Sequence, residues 1–467
     1  MTSNNTSTEG AKASAGSRAG ASAAAAKPAL PQGFYRTTIV IGLGFFTMGL
    51  MDPLYDTFVP IFLADFLESR SAIGTIMTLD NIFAVLLIPI VSAWSDQVRT
   101  PIGRRMPFII VTLPLTAVMF GFVPSAARIS LWALVIGLFA LNVFKQSARG
   151  PVVALMPDTI PGEFRSEANG VINLMGGIAA IVGTVILGPL AAVSIQLPII
   201  GDSRRQLPFL IAALLVILAT IAVFLFVKER ERAKEEDSKV PLRQSLRTIL
   251  RSEERSAFFV LLSLFLWFLG YQGVLPFLGL YTVEVLQLSE GFAPLSAGMV
   301  AVAYAIFAVP SGIVAHRLGR RRTIRGALTG LIVILLLIFA LGAAADALGL
   351  PGGVRVALFW GLLFLFGILW VSVITNSFPM LWQMAGYATM GIYTGLYYFF
   401  SQTAAIVSPP ITGGIIDLFG YPALFVFAAL CMAGAWILMG RVHRGEAGEG
   451  PAVDVHDAGA ASPSAEA

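Results

Sequence analysis

Apolar runs of about 20 residues recur along the whole of this 467-residue chain. An α-helix of that length crosses the hydrocarbon of a lipid bilayer and pairs all of its own backbone polar groups. Only 12% of the residues are charged, whereas a soluble protein has about 25%. The sequence therefore predicts an all-α membrane protein that crosses the bilayer many times.

The apolar runs predict twelve membrane-spanning helices. They cover residues 36–64, 71–95, 106–125, 129–157, 165–195, 207–227, 256–284, 292–315, 325–346, 354–379, 388–417 and 421–441. A charged linker, 229–255, separates two pseudo-symmetric six-helix bundles, 34–228 and 256–441, which we expect to surround a central cavity. The terminal segments 1–33 and 442–467 are rich in small and polar residues, so we expect them to be disordered.

The distribution of lysine and arginine predicts the orientation. If both termini are cytoplasmic, the outer loops hold only Arg70, Arg128, Arg204, Arg205 and Arg355, and the other loop cations face the cytoplasm. Cytoplasmic loops of membrane proteins carry the excess of positive charge. We therefore expect a multi-pass protein of the cell membrane with both termini inside, and we attribute its basic residues to topology rather than to nucleic-acid binding.

The sequence contains no motif that is typical of an enzyme. It has one cysteine, no nucleotide-binding loop and no metal-ligand cluster. We expect no catalytic activity, no cofactor and no bound metal. The expected partners are a small-molecule substrate, a coupling cation and the lipid bilayer, and the expected state is a monomer.

A basic motif occurs twice in the chain, six helices apart. The segment "SAWSDQVRTPIGRR" (92–105) follows the second span, and "GIVAHRLGRRR" (312–322) follows the eighth. In both copies a glycine precedes consecutive arginines. Such duplicated halves are typical of membrane transporters.

The first copy resembles the signature of the major facilitator superfamily, and its spacing is similar to that of the sucrose-type branch. Asp96 is followed by six residues and then by Gly103, Arg104 and Arg105. The segments "GPVVALMPDTIP" (150–161), "ANGVINLMGG" (168–177), "NSFP" (376–379) and "YTGLYYFFSQTAAIVSPPITG" (393–413) also resemble that branch. The resemblance implies sugar transport, with helices one, four, seven and ten around the cavity.

One position departs from the sucrose-type pattern. Val153 stands where sucrose carriers have an arginine on the fourth helix, and Arg149 lies one turn earlier. Arg149 could present its guanidinium to the same cavity, since residues four apart share a helix face.

Ionisable residues within the spans are functional candidates, because charge is costly in lipid. Asp52 and Asp56 lie on one face of the first helix, Asp80 on the second, and Lys145 and Arg149 on the fourth. We predict that these five couple transport to an ion, since a change of protonation can free a cation to bind substrate. The alternative is a set of static pairs between helices, in which Asp80 simply pairs with Lys145.

Polar and aromatic side chains on four of the helices are the candidates for binding substrate. They are Asn142, Gln146, Trp267, Tyr271, Gln272, Trp370, Asn376, Tyr393, Tyr397 and Gln402. Aromatic rings could stack on the C–H faces of a sugar, but ordinary helix packing also uses them. The glycines of the fifth helix (Gly170, Gly176, Gly177 and Gly183) are expected to allow close helix packing.

The basic motifs predict a latch that closes the cytoplasmic side. Its members are Asp96, Gly103, Arg104, Arg105, Arg320 and Arg321, with Asp158 and Glu163 as acidic partners. His316 replaces the acid in the second copy. We therefore expect the latch to be stronger in the first half than in the second.

The sequence thus predicts a secondary active transporter of a sugar or glycoside, working by alternating access on a proton or Na⁺ gradient. A drug or metabolite:proton antiporter remains an alternative, because it would use similar carboxylates. A transport-inactive nutrient sensor is the alternative of another class, although such a protein usually adds a large cytosolic signalling segment.

Overall fold

The computed structural model describes residues 33–161, 164–198, 201–229, 255–344, 349–384 and 390–446. In these ranges the chain forms twelve α-helices. They are α1 (Phe34–Ala64), α2 (Arg70–Gln97), α3 (Met106–Ile129), α4 (Leu131–Thr159), α5 (Arg165–Ile181), α6 (Leu207–Phe226), α7 (Ser256–Glu284), α8 (Ala293–Leu318), α9 (Arg320–Ala344), α10 (Gly352–Met384), α11 (Met390–Phe419) and α12 (Ala423–Met439). The predicted tails and the charged linker lie almost wholly outside the described residues.

Each predicted span overlaps one of these helices. In the described part of the chain, ten helices are long and apolar enough to cross a membrane, and α12 is a shorter apolar helix. The main differences lie at the basic motifs. α2 continues to Gln97, so that Asp96 is in its last turn, and α9 begins at Arg320, five residues before the predicted start.

The span predicted over 165–195 coincides with a helical stretch that ends at Ala192, but this stretch is not a regular α-helix beyond Ile181. Val182–Leu187 form a π-helix and Gly188–Ala192 a 3₁₀-helix. Two short antiparallel strands, β1 (Gln196–Leu197) and β2 (Gly201–Asp202), follow before α6. Pro189 cannot donate a backbone hydrogen bond, which explains why the regular helix does not resume.

The packing of the helices repeats with an offset of six. α1 packs on α5 and α6, α2 on α4, and α3 on α4 and α6. In the same way α7 packs on α11 and α12, α8 on α10, and α9 on α10 and α12. We call α1–α6 the N-terminal half and α7–α12 the C-terminal half.

The two halves meet where small residues let backbones approach closely. A Cβ on Gly74 of α2 would strike the Pro409 carbonyl of α11, and one on Gly413 would strike the Arg70 carbonyl. Gly279 of α7 lies in the same way against Thr57 of α1. We call Gly74, Gly279 and Gly413 the glycine seam.

Two ends of the molecule can be distinguished by their loops. The α2–α3 and α8–α9 connections, which carry the basic motifs, lie at what we call the basic end. The α1–α2, α5–α6, α7–α8 and α11–α12 connections lie at the opposite end. The glycine seam lies on the side of the opposite end, because α2 begins there and α11 ends there.

Candidate functional site

A cavity of about 1200 Å³ lies between the two halves. Side chains of α1, α4 and α5 form one wall, and side chains of α7, α8 and α10 form the other. Leu174 and Val309 line its basic-end part and are 62% and 74% exposed, whereas Leu278 and Phe425 line its far part and are buried. The cavity therefore opens toward the basic end and is closed toward the opposite end.

The N-terminal wall holds a lysine shared by two carboxylates. The Nζ of Lys145 lies 2.7 Å from the Asp52 carboxylate and 3.2 Å from that of Asp80. It also lies 4.8 Å from the centre of the Tyr55 ring. Gln146 donates a hydrogen bond of 2.5 Å to Asp80. The pair of Asp80 and Lys145 that the sequence offered as an alternative is thus present, and Asp52 shares it.

Asp52, Asp56 and Arg149 line the cavity, but Asp56 and Arg149 do not belong to the cluster around Lys145. Among the described residues neither has an ion-pair or hydrogen-bond partner, although each lies near enough to Asp52 to act on it electrostatically. Val153 lines the cavity beside Arg149. Arg149 can therefore present its charge to a solute close to Val153, the position at which sucrose carriers have their arginine.

The C-terminal wall is aromatic at the same level. The rings of Tyr271 and Trp370 stack with centroids 4.3 Å apart and an angle of 9° between their planes. The ring of Phe366 lies nearly parallel to both. Tyr271 also lies near enough to Asp56 for the carboxylate to act on its hydroxyl electrostatically. A solute in the cavity would therefore meet carboxylates on one side and an aromatic stack on the other.

The structure places only part of the predicted substrate set in the cavity wall. Tyr271 and Trp370 line it, but the other eight do not: Asn142, Gln146, Trp267, Gln272, Asn376, Tyr393, Tyr397 and Gln402. Several of them bond to neighbouring helices or to their own helix. Asn142 donates to the Tyr55 hydroxyl at 3.0 Å, and the Tyr397 hydroxyl lies 3.2 Å from the Ser377 hydroxyl. Trp267 is fully buried by apolar neighbours.

Sequence reasoning missed the contribution of α5 and α8. Asn173 of α5, Thr184 of the π-helix that follows it, and Tyr304 of α8 line the cavity. A signal existed in the glycines of α5, which were interpreted as packing positions alone. Gly176 and Gly183 do pack closely, against α1. Gly170 and Gly177, however, line the cavity and would have room for a Cβ.

The first basic motif forms a cluster of ion pairs at the basic end. Arg104 donates to the Asp158 carboxylate at 2.5 and 3.1 Å, and Arg105 donates to it at 2.9 Å. Arg105 also pairs with Asp96. Hydrogen bonding to Asp158 raises the pKa of the Arg104 guanidinium. These bonds join α2, α3 and α4 within one half, and Glu163, the other predicted partner, lies outside the described residues.

The second basic motif uses backbone acceptors. Arg320 donates to the carbonyl of Pro379 at 3.2 Å, and Arg321 donates to the carbonyl of Gly440 at 2.5 Å. The side chains of the second copy therefore bond to neutral groups, where those of the first copy bond to carboxylates. Hydrogen bonds to carboxylates are charge-assisted on both sides, so the contacts of the first copy are stronger than those of the second, and the latch itself stays a prediction.

Two glutamates that the sequence analysis passed over occupy equivalent places in the halves. Glu229, beyond α6, accepts a hydrogen bond of 2.9 Å from the backbone N–H of Arg105 at the start of α3. Glu446, beyond α12, accepts from the N–H groups of Arg320 and Arg321 at the start of α9, at 2.6 and 3.0 Å. Each supplies a negative charge at a helix N-terminus, where the helix dipole favours it. Their similar place after the last helix of each half was the available signal.

At the opposite end, polar contacts join the two halves. Arg70 of α2 pairs with Glu284 of α7 at 3.0 Å. Arg205, in the loop before α6, pairs with Asp65 of its own half at 2.5 Å and with Glu290 of the other half. The neighbouring carboxylates raise the pKa of the Arg205 guanidinium. By contrast, the contacts described at the basic end each stay within one half.

Known proteins resemble this chain in sequence. The family model of the Major Facilitator Superfamily matches residues 41–407. A curated relative, Solute carrier family 45 member 4 of Mus musculus, is 25% identical over 179 residues, which are 35% of this chain and 22% of that protein. The chain thus matches only about a fifth of the length of that relative.

Several solved structures share the fold. A bacterial homologue of the iron transporter ferroportin in an inward-facing state has a TM-score of 0.64 at 16% identity, over 87% of this chain and 98% of that chain. A bacterial homolog of the human lysosomal transporter Spinster, inward-facing and unoccupied, has a TM-score of 0.63 at 14% identity, over 87% and 95%. A bacterial metal transporter has a TM-score of 0.62 at 16% identity, over 87% and 98%.

At these identities the solved structures establish a common fold, whereas the family model extends over most of the chain. The repeated packing of six helices and the cavity between the halves agree with it. The chain belongs to the Major Facilitator Superfamily and is a membrane transporter, not an enzyme.

Proposed function

We propose that this protein is a proton-coupled secondary transporter that moves a small organic solute, of the sugar or glycoside type, by alternating access. The observation that carries this proposal is the cavity between the two halves, with the unpaired carboxylate of Asp56 on one wall and the stack of Tyr271 and Trp370 on the other. The cavity opens to one end and is closed at the other by contacts that can separate.

The excess of positive charge in the loops of the basic end supports a cytoplasmic location for that end. With twelve membrane-spanning helices, both termini then lie in the cytoplasm. The protein is proposed to be a monomer in the cell membrane. The conformation described is in this case inward-open, because the halves are joined by polar contacts at the opposite end.

The balance of charge in the N-terminal wall supports proton coupling. Three carboxylates (Asp52, Asp56 and Asp80) face two cations, Lys145 and Arg149. A proton on Asp56 would neutralise the set, and its departure would leave one negative charge in a cavity that a solute closes off from water. Charge without a partner is costly in such surroundings. Release of solute and release of the proton would therefore favour each other.

A glycoside suits the two walls of the cavity. Hydroxyl groups of a sugar can donate to Asp56 and accept from Arg149, while a C–H face can stack on an aromatic ring. The resemblance of the basic motif to the sucrose-type branch and the partial match to Solute carrier family 45 member 4 point to the same class.

Uptake by purified protein in proteoliposomes tests the proposal. With an inward proton gradient, labelled sucrose and a small panel of glycosides should accumulate, and a protonophore should abolish accumulation. Asp56→Asn should abolish accumulation and spare exchange of solute across the membrane. Glu68→Gln, at an exposed loop carboxylate, is the matched control and should behave as wild type. Accumulation that withstands the protonophore, or is unchanged in Asp56→Asn, would contradict proton coupling through this residue.

A second candidate is an organic cation:proton antiporter. The negative excess of the N-terminal wall and the apolar character of the C-terminal wall favour it. The direction of proton movement separates the two candidates. Addition of solute to vesicles holding a pH-sensitive dye acidifies the interior during symport, and it makes the interior more alkaline during antiport. Binding without either flux would instead indicate a sensor.

A further inference from the structure

The cavity continues beyond the aromatic stack into the interior of the C-terminal half. Besides the residues that face the N-terminal half, its lining includes one connected set of apolar side chains: Leu278, Val300, Leu335, Ile338, Leu363 and Phe425. All six are buried, and they come from α7, α8, α9, α10 and α12. We call this part the apolar chamber. α9 and α12 reach the cavity only here.

The positions along the helices place the apolar chamber beyond the polar level. On α7 the lining residues Tyr271, Val274, Leu275 and Leu278 form one stripe, and the chamber lies toward its Leu278 end. Tyr271 and Leu278 are seven residues apart, which corresponds to about 10 Å along a helix. A solute whose polar part lies at the level of Asp56 would thus reach Leu278, inside the chamber, with an alkyl chain of about octyl length.

The walls of the apolar chamber are held by close packing. A Cβ on Gly367 of α10 would come within 2.6 Å of the Val300 carbonyl of α8, so these two helices cannot move closer together. The ring of Tyr281 packs on Phe359 and Phe425, with centroids 5.4 and 4.9 Å apart, at the far side. A void with rigid apolar walls holds water poorly, and apolar groups bind in it.

We propose that the apolar chamber binds the apolar part of the transported solute, which is therefore amphipathic and carries an alkyl or aryl group. The polar part lies between Asp56, Arg149 and the stack of Tyr271 and Trp370, and the apolar part extends past the stack. This inference rests on the proposed transport function and narrows its substrate class. A simple free sugar would leave the chamber empty.

Binding to the full-length protein in lipid nanodiscs tests this directly. Two probe series are used, the methyl to decyl β-glucosides and the matching alkyltrimethylammonium salts, so that the result does not depend on one head group. Affinity should rise by up to about fourfold for each added methylene and level off near octyl, because each methylene leaves water until the chamber is full.

Two variants of α9 distinguish binding in the chamber from partition of the probes into the lipid. Leu335→Phe reduces the space of the chamber and should remove the dependence on chain length while the methyl members still bind. Leu337→Phe makes the same exchange on the same helix, at a side chain that is 49% exposed, and should keep the dependence. If Leu335→Phe does not fold, Leu363→Ala enlarges the chamber and should move the plateau to longer chains.

The inference is overturned if neither series binds, if affinity does not depend on chain length, or if Leu335→Phe and Leu337→Phe show the same dependence. Uptake in proteoliposomes is measured separately. A chain-length dependence without uptake would refute the transport function and keep the chamber as a binding site. Uptake of short glycosides without a chain-length dependence of binding would support the transport function and refute the chamber as a binding site.

Discussion

The Asp417 carboxylate, near the end of α11, accepts a hydrogen bond of 2.6 Å from the backbone N–H of Arg70 at the start of α2. It also accepts from the N–H of Ser71 at 3.0 Å and from the Ser69 hydroxyl at 2.8 Å. The N-terminus of a helix in one half is thus capped by a side chain of the other half. The proposed alternating access requires the opposite end to open, and this cap must break when it does.

Replacement of Asp417 should favour opening at that end. A lost cap costs about 1 kcal/mol, which changes an equilibrium by roughly fivefold. We expect Asp417→Ala to lengthen the distance between spin labels at Ile129 and Phe419, both of which are exposed at that end, in a background without Cys431. Asp202→Ala is the control, because in the described part of the chain its carboxylate accepts hydrogen bonds from its own loop and not from the other half. Equal distances in both variants would show that the cap does not hold the end closed.

Arg205 should act in the same direction through charge. It joins Asp65 and Glu290 across the halves, and ion pairs of this exposure contribute about 0.2–1 kcal/mol each. Arg205→Ala should lengthen the same distance, and high salt should reduce the difference from wild type, because salt screens exposed pairs. The neighbouring Arg204 is exposed and takes no part in the ion pairs with Asp65 and Glu290. Arg204→Ala should therefore change neither the distance between the labels nor its dependence on salt. A difference that persists in high salt would argue against an electrostatic cause.

Lys145 and Arg149 lie one turn apart on α4 and should differ in their effect on stability. Removal of Lys145, which is buried, leaves the partly buried Asp52 and Asp80 without their shared cation, and this costs more than an exposed ion pair contributes, which is about 0.2–1 kcal/mol. Arg149 has no such partner among the described residues. Thermal unfolding in detergent should therefore show a much larger loss for Lys145→Ala than for Arg149→Ala. Equal losses would mean that the lysine is not a structural element of the wall.

The two basic motifs should also contribute unequally. Arg105 bonds to Asp96 and Asp158, whereas Arg321 bonds to backbone carbonyls. We expect Arg105→Ala to reduce both thermal stability and uptake more than Arg321→Ala does. The comparison uses equal amounts of purified protein in proteoliposomes, so that expression does not enter. Comparable losses in the two variants would contradict the asymmetry between the copies.

Hydropathy predicted where the helices lie, because a long apolar run has few alternatives in a membrane protein. It could not predict the π-helix and 3₁₀-helix after Ile181 or the strands that follow, since their irregular backbone is determined by neighbouring helices rather than by a periodic pattern. The same distinction applies at the start of α9. Arg320 is charged and was assigned to a loop, but it begins the helix because Glu446 accepts its N–H.

The candidate site was predictable in part for a related reason. Helical periodicity places Asn142, Lys145, Gln146 and Arg149 near one another on the fourth helix. It could not show which of them meet another helix and which meet the cavity. Gln146 and Lys145 turned out to bond to Asp80 of α2, and Arg149 to face the cavity. Only the packing of α2 against α4 decides between these outcomes.

The glycine seam has a consequence for how fast the halves can separate. At Gly74 and Gly413 the halves touch through backbone, and at Gly279 the glycine lies against the methyl group and the carbonyl of Thr57, so separation at the seam frees few side chains and closure orders few. Ordering a long side chain costs up to about 2 kcal/mol of conformational entropy, and glycine has no side chain to order. The polar bonds around Asp417 and Arg205 then contribute to the barrier to opening. An interface of this kind can open and close repeatedly with little rearrangement of side chains.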